Sequence, residues 1–129
     1  MRILLCGTFD HLHLGHEFMF HEALKRSDDV WVIVARDANV ERIKGRAPDE
    51  SETYRVEMIQ SRFPSLHVLL GDEQDFLKPV KAIAPDLFFF GYDQQLPPQV
   101  TEQDLECKTE RLPAFEPHLH KSSLKRTKK

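Results

Sequence analysis

Short, continuously apolar runs alternate along this chain with longer stretches in which apolar residues return at helical intervals. Arg2–Cys6 is a brief apolar run that ends at Gly7, which predicts a buried strand. Gly15–Lys25 carries no proline and no internal glycine, and it sets Phe20, Ala23 and Leu24 on one helical face. Val30–Ala35 is a continuous run of β-branched and aromatic residues closed by an alanine, as expected of a strand covered on both faces. Asp37–Ile43 predicts one or two helical turns, and Lys44–Asp49 a basic loop around Gly45 and Pro48. Asp49 or Ser51 caps a further helix to about Ser61, with Tyr54, Met58 and Ile59 expected inward. His67–Leu70 is a third strand. Gln74–Ala84 is a helix with Phe76, Leu77, Val80 and Ile83 as its apolar side and Pro79 in or near its first turn, where proline is tolerated. Asp86–Phe90 is a fourth strand, Gly91–Pro98 a loop, Val100–Cys107 a short helix and Thr109–Leu112 a weak fifth strand.

Strands alternating with helices at this spacing predict an α/β fold: a doubly wound, five-stranded parallel sheet of Rossmann-like type. In such sheets ligands bind beyond the carboxyl ends of the strands. Gly7–His16, Arg36–Arg46 and Gly91–Gln95 follow strands one, two and four, so they are expected around a single cleft. The 129 residues suit one domain, with a short basic tail from about Lys121.

Composition narrows the class. With 40% hydrophobic and 30% charged residues the chain is an ordinary globular sequence. Its apolar runs fall well short of a membrane span, and its N-terminus lacks the pattern of a signal peptide, so no membrane association and a cytoplasmic site are expected. Two cysteines, Cys6 and Cys107, make no disulfide framework, and Cys6 reads as a small core residue. A net charge of −3 argues against nucleic acid as a partner. Charge is nevertheless uneven: Lys121, Lys125, Arg126, Lys128 and Lys129 close the chain with no acid among them.

The chemistry concentrates in Gly7-Thr8-Phe9-Asp10-His11-Leu12-His13-Leu14-Gly15-His16, where the first strand meets the first helix. Unpaired backbone N–H groups and the positive end of a helix dipole favour a phosphate there. Imidazole N–H donors beside them can follow negative charge onto phosphoryl oxygens. Gly15 removes a Cβ where backbone and ligand are to approach. A single histidine in a loop is more often an ordinary surface or core residue. The whole arrangement at this junction points instead to a phosphate site.

The segment resembles the signature of the cytidylyltransferase-like nucleotidyltransferases: a glycine, a small residue, Phe-Asp, then His-x-Gly-His. The resemblance continues through Val34-Ala35-Arg36-Asp37, Lys44-Gly45-Arg46, Arg55 with Glu57, Leu70-Gly71, Pro85-Asp86, Gly91-Tyr92-Asp93-Gln94 and Lys121-Ser122-Ser123. It is greatest with archaeal-type FAD synthases and glycerol-3-phosphate cytidylyltransferases. It implies transfer of a nucleotidyl group from a nucleoside triphosphate to a phosphorylated small-molecule acceptor, with release of pyrophosphate. His13 and His16 would stabilise the transition state, with Lys44 or Arg46 on the phosphates. Thr8 and Phe9 would add backbone contacts, and Gly7 and Gly15 would belong to the same nucleotide loop. Gly91, Asp93 and Gln94 would lie at base and ribose, and Ser122 and Ser123 at the β- and γ-phosphates. Mg²⁺ would be held mainly by the nucleotide phosphates. Asp10 is the nearest carboxylate for that ion or for the acceptor, or else it caps the helix or holds the loop. Arg55 would face the acceptor or simply pair with Glu52. A homodimer is among the expected states, since the relatives commonly dimerise.

One departure bears on the substrate. Cytidylyltransferases of this type carry an arginine after Leu-Pro, whereas Leu112-Pro113 here precedes Ala114, leaving Lys121 as a replacement contact for CTP. The Val-Ala-Arg-Asp, Lys-Gly-Arg and Gly-Tyr-Asp-Gln segments lean towards FAD synthase, using ATP and FMN. The alternatives are a CTP-dependent glycerol-3-phosphate cytidylyltransferase and a nucleotide-binding module without turnover. His118 and His120, with His11, match no zinc spacing.

Overall fold

The structure is a computed structural model, and it describes residues 1–115. Five strands form one parallel sheet: β1 (Arg2–Gly7), β2 (Asp29–Val34), β3 (His67–Leu70), β4 (Leu87–Phe90) and β5 (Lys108–Arg111), in the order β3-β2-β1-β4-β5. Four helices connect them: α1 (Leu14–Leu24), α2 (Asp37–Lys44), α3 (Glu52–Arg62) and α4 (Leu77–Ile83). The reversal of strand order beside β1 is the switch point at which this class of sheet opens a crevice.

Two-residue side-chain alternation builds a core on each face. Ile3, Leu5, Val30, Val32, Val34 and Phe89 pack with Phe20 and Ala23 of α1 and Ile59 of α3. Leu4, Cys6, Ile33, Phe88 and Phe90 turn the other way, against Val80 and Ile83 of α4 and Leu105. Strands covered on both sides explain why their sequences read as continuous apolar runs.

Boundaries differ from expectation where local hydrogen bonding decides them. Ser51, not Asp49, caps α3 by accepting the Tyr54 N–H. Tyr54 is exposed rather than inward, because the buried stripe of α3 runs through Arg55 and Ile59. The helix expected from Gln74 starts at Leu77. Asp72 accepts the Gln74 and Asp75 N–H groups and Asp75 accepts that of Leu77, holding the preceding residues in turns. Val100–Cys107 forms only a 3₁₀ turn at Glu102–Leu105. Among the described residues no helix is long and apolar enough to cross a membrane.

Candidate active site

The carboxyl ends of the strands open into a cleft of about 1110 Å³. Gly7, Thr8, Asp10 and His16 line it from the β1 side, Lys44 and Arg46 from the end of α2, and Gly91, Asp93 and Gln94 from the end of β4. The expectation that these three segments share one cleft is met. Gly71 and Asp72 after β3 extend the rim beyond the expected residues.

The loop leaving β1 is stitched from several sides. Phe9 and His11 both adopt left-handed backbone, at φ 55° and 52°, a conformation that side-chain-bearing residues rarely take without support. Support comes from Asp10, whose carboxylate accepts the Asp49 and Glu50 N–H groups at 2.9 and 3.0 Å. Partial desolvation opposes the ionised form of Asp10, but these two donors, with His11 and Arg55 nearby, outweigh it and hold the carboxyl below its ordinary range. The His11 N–H donates to Glu50 Oε1 at 2.9 Å, and its ring lies 2.8 Å from Asp49 Oδ2, a hydrogen bond that raises the imidazole pKa. Asp10 therefore holds the loop, one of the roles foreseen for it. Asp10, His11 and Asp49 bring ligand atoms within 4.8 Å of one another, and those atoms already bond within the clamp.

Arg55 corrects an expectation. It neither lines the cleft nor pairs with Glu52: it is 1% exposed and donates to Thr8 O (2.7 Å), Glu50 O (3.0 Å) and Asp37 Oδ1 (2.5 Å). A buried guanidinium requires such partners, and here they fix the height of Thr8 from behind. Glu52 pairs instead with Arg36 and accepts the Asp37 N–H.

The two histidines of the motif cap α1. His13 Nδ1 accepts the Gly15 N–H, and His16 Nδ1 accepts the His13 N–H, a reciprocal capping box. A neutral imidazole that accepts through Nδ1 carries its proton on Nε2, so each ring keeps an Nε2–H donor. The rings stack at 3.8 Å, and Phe9 meets His16 edge-on at 5.2 Å. Burial, followed by repulsion from His13, pushes the His16 pKa down to about 4, so His16 is neutral near pH 7. Gly15 has a reason the sequence reading did not supply. A Cβ there would stand 3.0 Å from His13 Cε1, so the missing side chain makes room for the capping ring.

Lys44 ends α2, which Gly45 closes at φ 89°, and its ammonium donates to Thr8 Oγ1 at 3.2 Å. Arg46 is largely exposed and its nearest acid is Asp49, at 3.8 Å. Both cations thus stand at the cleft with weak internal partners. Gln94 is different: its Oε1 accepts the Gly91 N–H at 3.0 Å and its amide donates to Cys6 O at 2.7 Å. Its side chain joins the ends of β4 and β1 at the cleft wall. Arg111, overlooked in the sequence, donates to the Gly91, Tyr92 and Gln94 carbonyls at 2.8, 3.4 and 2.7 Å and fixes the β4 loop. Nothing in the weak fifth strand announces that role. Lys121, Ser122, Ser123, His118 and His120 lie outside the described residues.

The cytidylyltransferase-like family profile matches residues 4–115. The FAD synthase of Methanosphaerula palustris is 42% identical over 108 residues, covering 84% of this chain and 69% of its own length. That of Methanospirillum hungatei is 37% identical over 123 residues, covering 95% and 78%. The crystal structure of the lipopolysaccharide core biosynthesis protein from Thermoplasma volcanium superposes with a TM-score of 0.78 at 30% identity, over 90% of this chain and 98% of that one. A protein of unknown function from Archaeoglobus fulgidus, at 17% identity and a TM-score of 0.66, shares the fold over 88% and 90%.

Proposed function

The chain belongs to the cytidylyltransferase-like family, and from that premise we propose that it transfers the adenylyl group of ATP to FMN, releasing FAD and pyrophosphate. The observation that carries the choice of acceptor and nucleotide is the 37–42% identity to FAD synthases over 84–95% of this chain. Ala114, in place of the arginine of cytidylyltransferases, agrees with ATP over CTP.

An FMN phosphate with a second pKa of about 6 is largely ionised at neutral pH. Its oxygen attacks the α-phosphorus of ATP in line. The new P–O bond forms as the bond to the bridging oxygen of the β-phosphate breaks, and pyrophosphate leaves with the electron pair. No general base is required. The one thiol lining the cleft among the described residues is no nucleophile: burial drives the Cys6 pKa far above its usual range, so it stays protonated.

The residues of the cleft position and neutralise. His16 donates Nε2–H to a phosphoryl oxygen, and a neutral donor holds its geometry without titrating near pH 7. The N-terminus of α1 adds backbone donors. Lys44, one hydrogen bond from Thr8, follows the charge that moves onto the leaving pyrophosphate. Asp10 keeps a free lone pair on each oxygen after its two backbone bonds. One carboxylate beside the triphosphate fits a Mg²⁺ ion held mainly through phosphate oxygens. When bound, that ion would offset the charge of the polyphosphate.

The test is pyrophosphate release with Mg²⁺, crossing ATP and CTP against FMN, glycerol-3-phosphate and phosphopantetheine. Turnover confined to ATP with FMN is expected. Turnover with CTP and glycerol-3-phosphate would replace this reading with the cytidylyltransferase alternative. Nucleotide binding without turnover in any combination would leave a binding module.

A further inference from the structure

The cleft is chemically divided. Thr8, His16, Lys44 and Arg46 make one part polar and cationic. Its other part is continuous with the second hydrophobic core: Cys6, Ile33, Phe76 and Leu96 belong both to that core or its packed margin and to the cleft lining. Ile43 of α2 also lines the cleft and remains 47% exposed, a large aliphatic side chain left to solvent. An apolar core margin open to a binding cleft is the usual seat of a ligand's ring system.

Two substrates with ring systems compete for that seat, and helix α1 separates them. The triphosphate is drawn to the α1 N-terminus and His16. Met19 lies one turn along the same helix, lines the cleft and packs against the first core. A Cβ on Gly91 would meet Met19 Sδ at 3.5 Å, so Met19 and the end of β4 adjoin. A base that lies along Met19 and Gly91 would sit on the α1 face of the sheet. The second apolar region lies on the opposite face, beside α4. A cleft of about 1110 Å³ exceeds the roughly 300–1,000 Å³ of ordinary ligand pockets, which gives room for both molecules.

We infer that Ile43, Phe76 and Leu96, over the floor formed by Cys6 and Ile33, seat the planar tricyclic ring of the acceptor and select it over acceptors without rings. The inference rests on the FMN reading above. Its test measures FAD formation with ATP and FMN varied separately, and then with riboflavin, which keeps the ring but lacks the phosphate. Riboflavin is expected to compete with FMN and not with ATP. Phe76→Ala and Ile43→Ser are each expected to raise the KM for FMN about tenfold while the KM for ATP stays within about twofold. Ile43 is exposed, so its variant keeps the test clear of folding effects. FAD formation with unchanged FMN KM in Ile43→Ser and no competition by riboflavin would overturn the seat alone. A rise in the KM for ATP in place of FMN would assign this region to the base and also overturn it. If the unmodified protein makes no FAD, the parent reading falls, and this inference falls with it.

Discussion

The two ends of the sheet handle charge in opposite ways. At the amino end, Asp29 accepts from Arg2 Nε at 3.0 Å and from Trp31 Nε1 at 2.7 Å, Arg2 also donates to Ile83 O, and His67 stacks on Trp31 at 4.5 Å. These groups satisfy one another, and the hydrogen bonds to Arg2 and Trp31 hold the Asp29 carboxyl below its ordinary range. At the carboxyl end, Lys44 has a hydroxyl for a partner, and Arg46 has one carboxylate at 3.8 Å. Same sheet, same strands, yet the charges at one end satisfy one another while at the other Lys44 and Arg46 keep weak partners. The difference teaches that cations whose local partners are weak, not cations as such, mark the ligand end.

The largest effect expected from breaking this contrast is at His16. His16→Ala should lower kcat for FAD formation by roughly 10²–10³, the usual cost of one oxyanion donor, with unchanged circular dichroism and a melting temperature lower by only a few degrees, because the α1 cap loses one hydrogen bond. A His16→Ala variant of undiminished rate would remove His16 from the chemistry. Next comes Arg55→Met, which leaves Asp37 and two carbonyls without their donor. A loss of about 3 kcal/mol in denaturant unfolding is expected, along with reduced turnover as Thr8 loses its support. Lys44→Ala should then lower kcat/KM by roughly tenfold or more, with little change in stability because its only described partner is a hydroxyl.

The smallest effect sharpens the electrostatics. His16 has a folded pKa near 4 against an ordinary 6.5, so the unfolded chain binds the extra proton first. The resulting destabilisation is absent above about pH 6.5, grows as pH falls towards 4 and levels off below it. Unfolding curves across that window should flatten in His16→Asn. A slope equal to that of the unmodified protein would show that His16 is not held neutral.

Much of this was legible in the sequence, for physical reasons that also explain the omissions. The continuous apolar run from Val30 predicts a strand covered on both faces, and β2 is buried at Val30 and from Val32 to Val34. The Gly7–His16 segment is placed at the cleft by its position between the first strand and the first helix, and Gly7, Thr8, Phe9, Asp10 and His16 do line it. Arg55 lies behind the cleft and not in it, because a polar side chain near a motif gives no sign of whether the fold has already consumed its donors. Tyr54 was placed inward because the apolar spacing of α3 does not reveal that an arginine takes the central buried position. Arg111 bonds to residues far along the chain, so local pattern gives no signal for it.

The central claim is that this cleft moves an adenylyl group. The most direct test follows ATP labelled at either its α- or γ-phosphorus through one incubation with FMN and Mg²⁺. The account predicts that the α-label appears in FAD and the γ-label in pyrophosphate, in equal amounts. An α-label recovered as free AMP, or a γ-label recovered as inorganic phosphate or on the flavin, would contradict it.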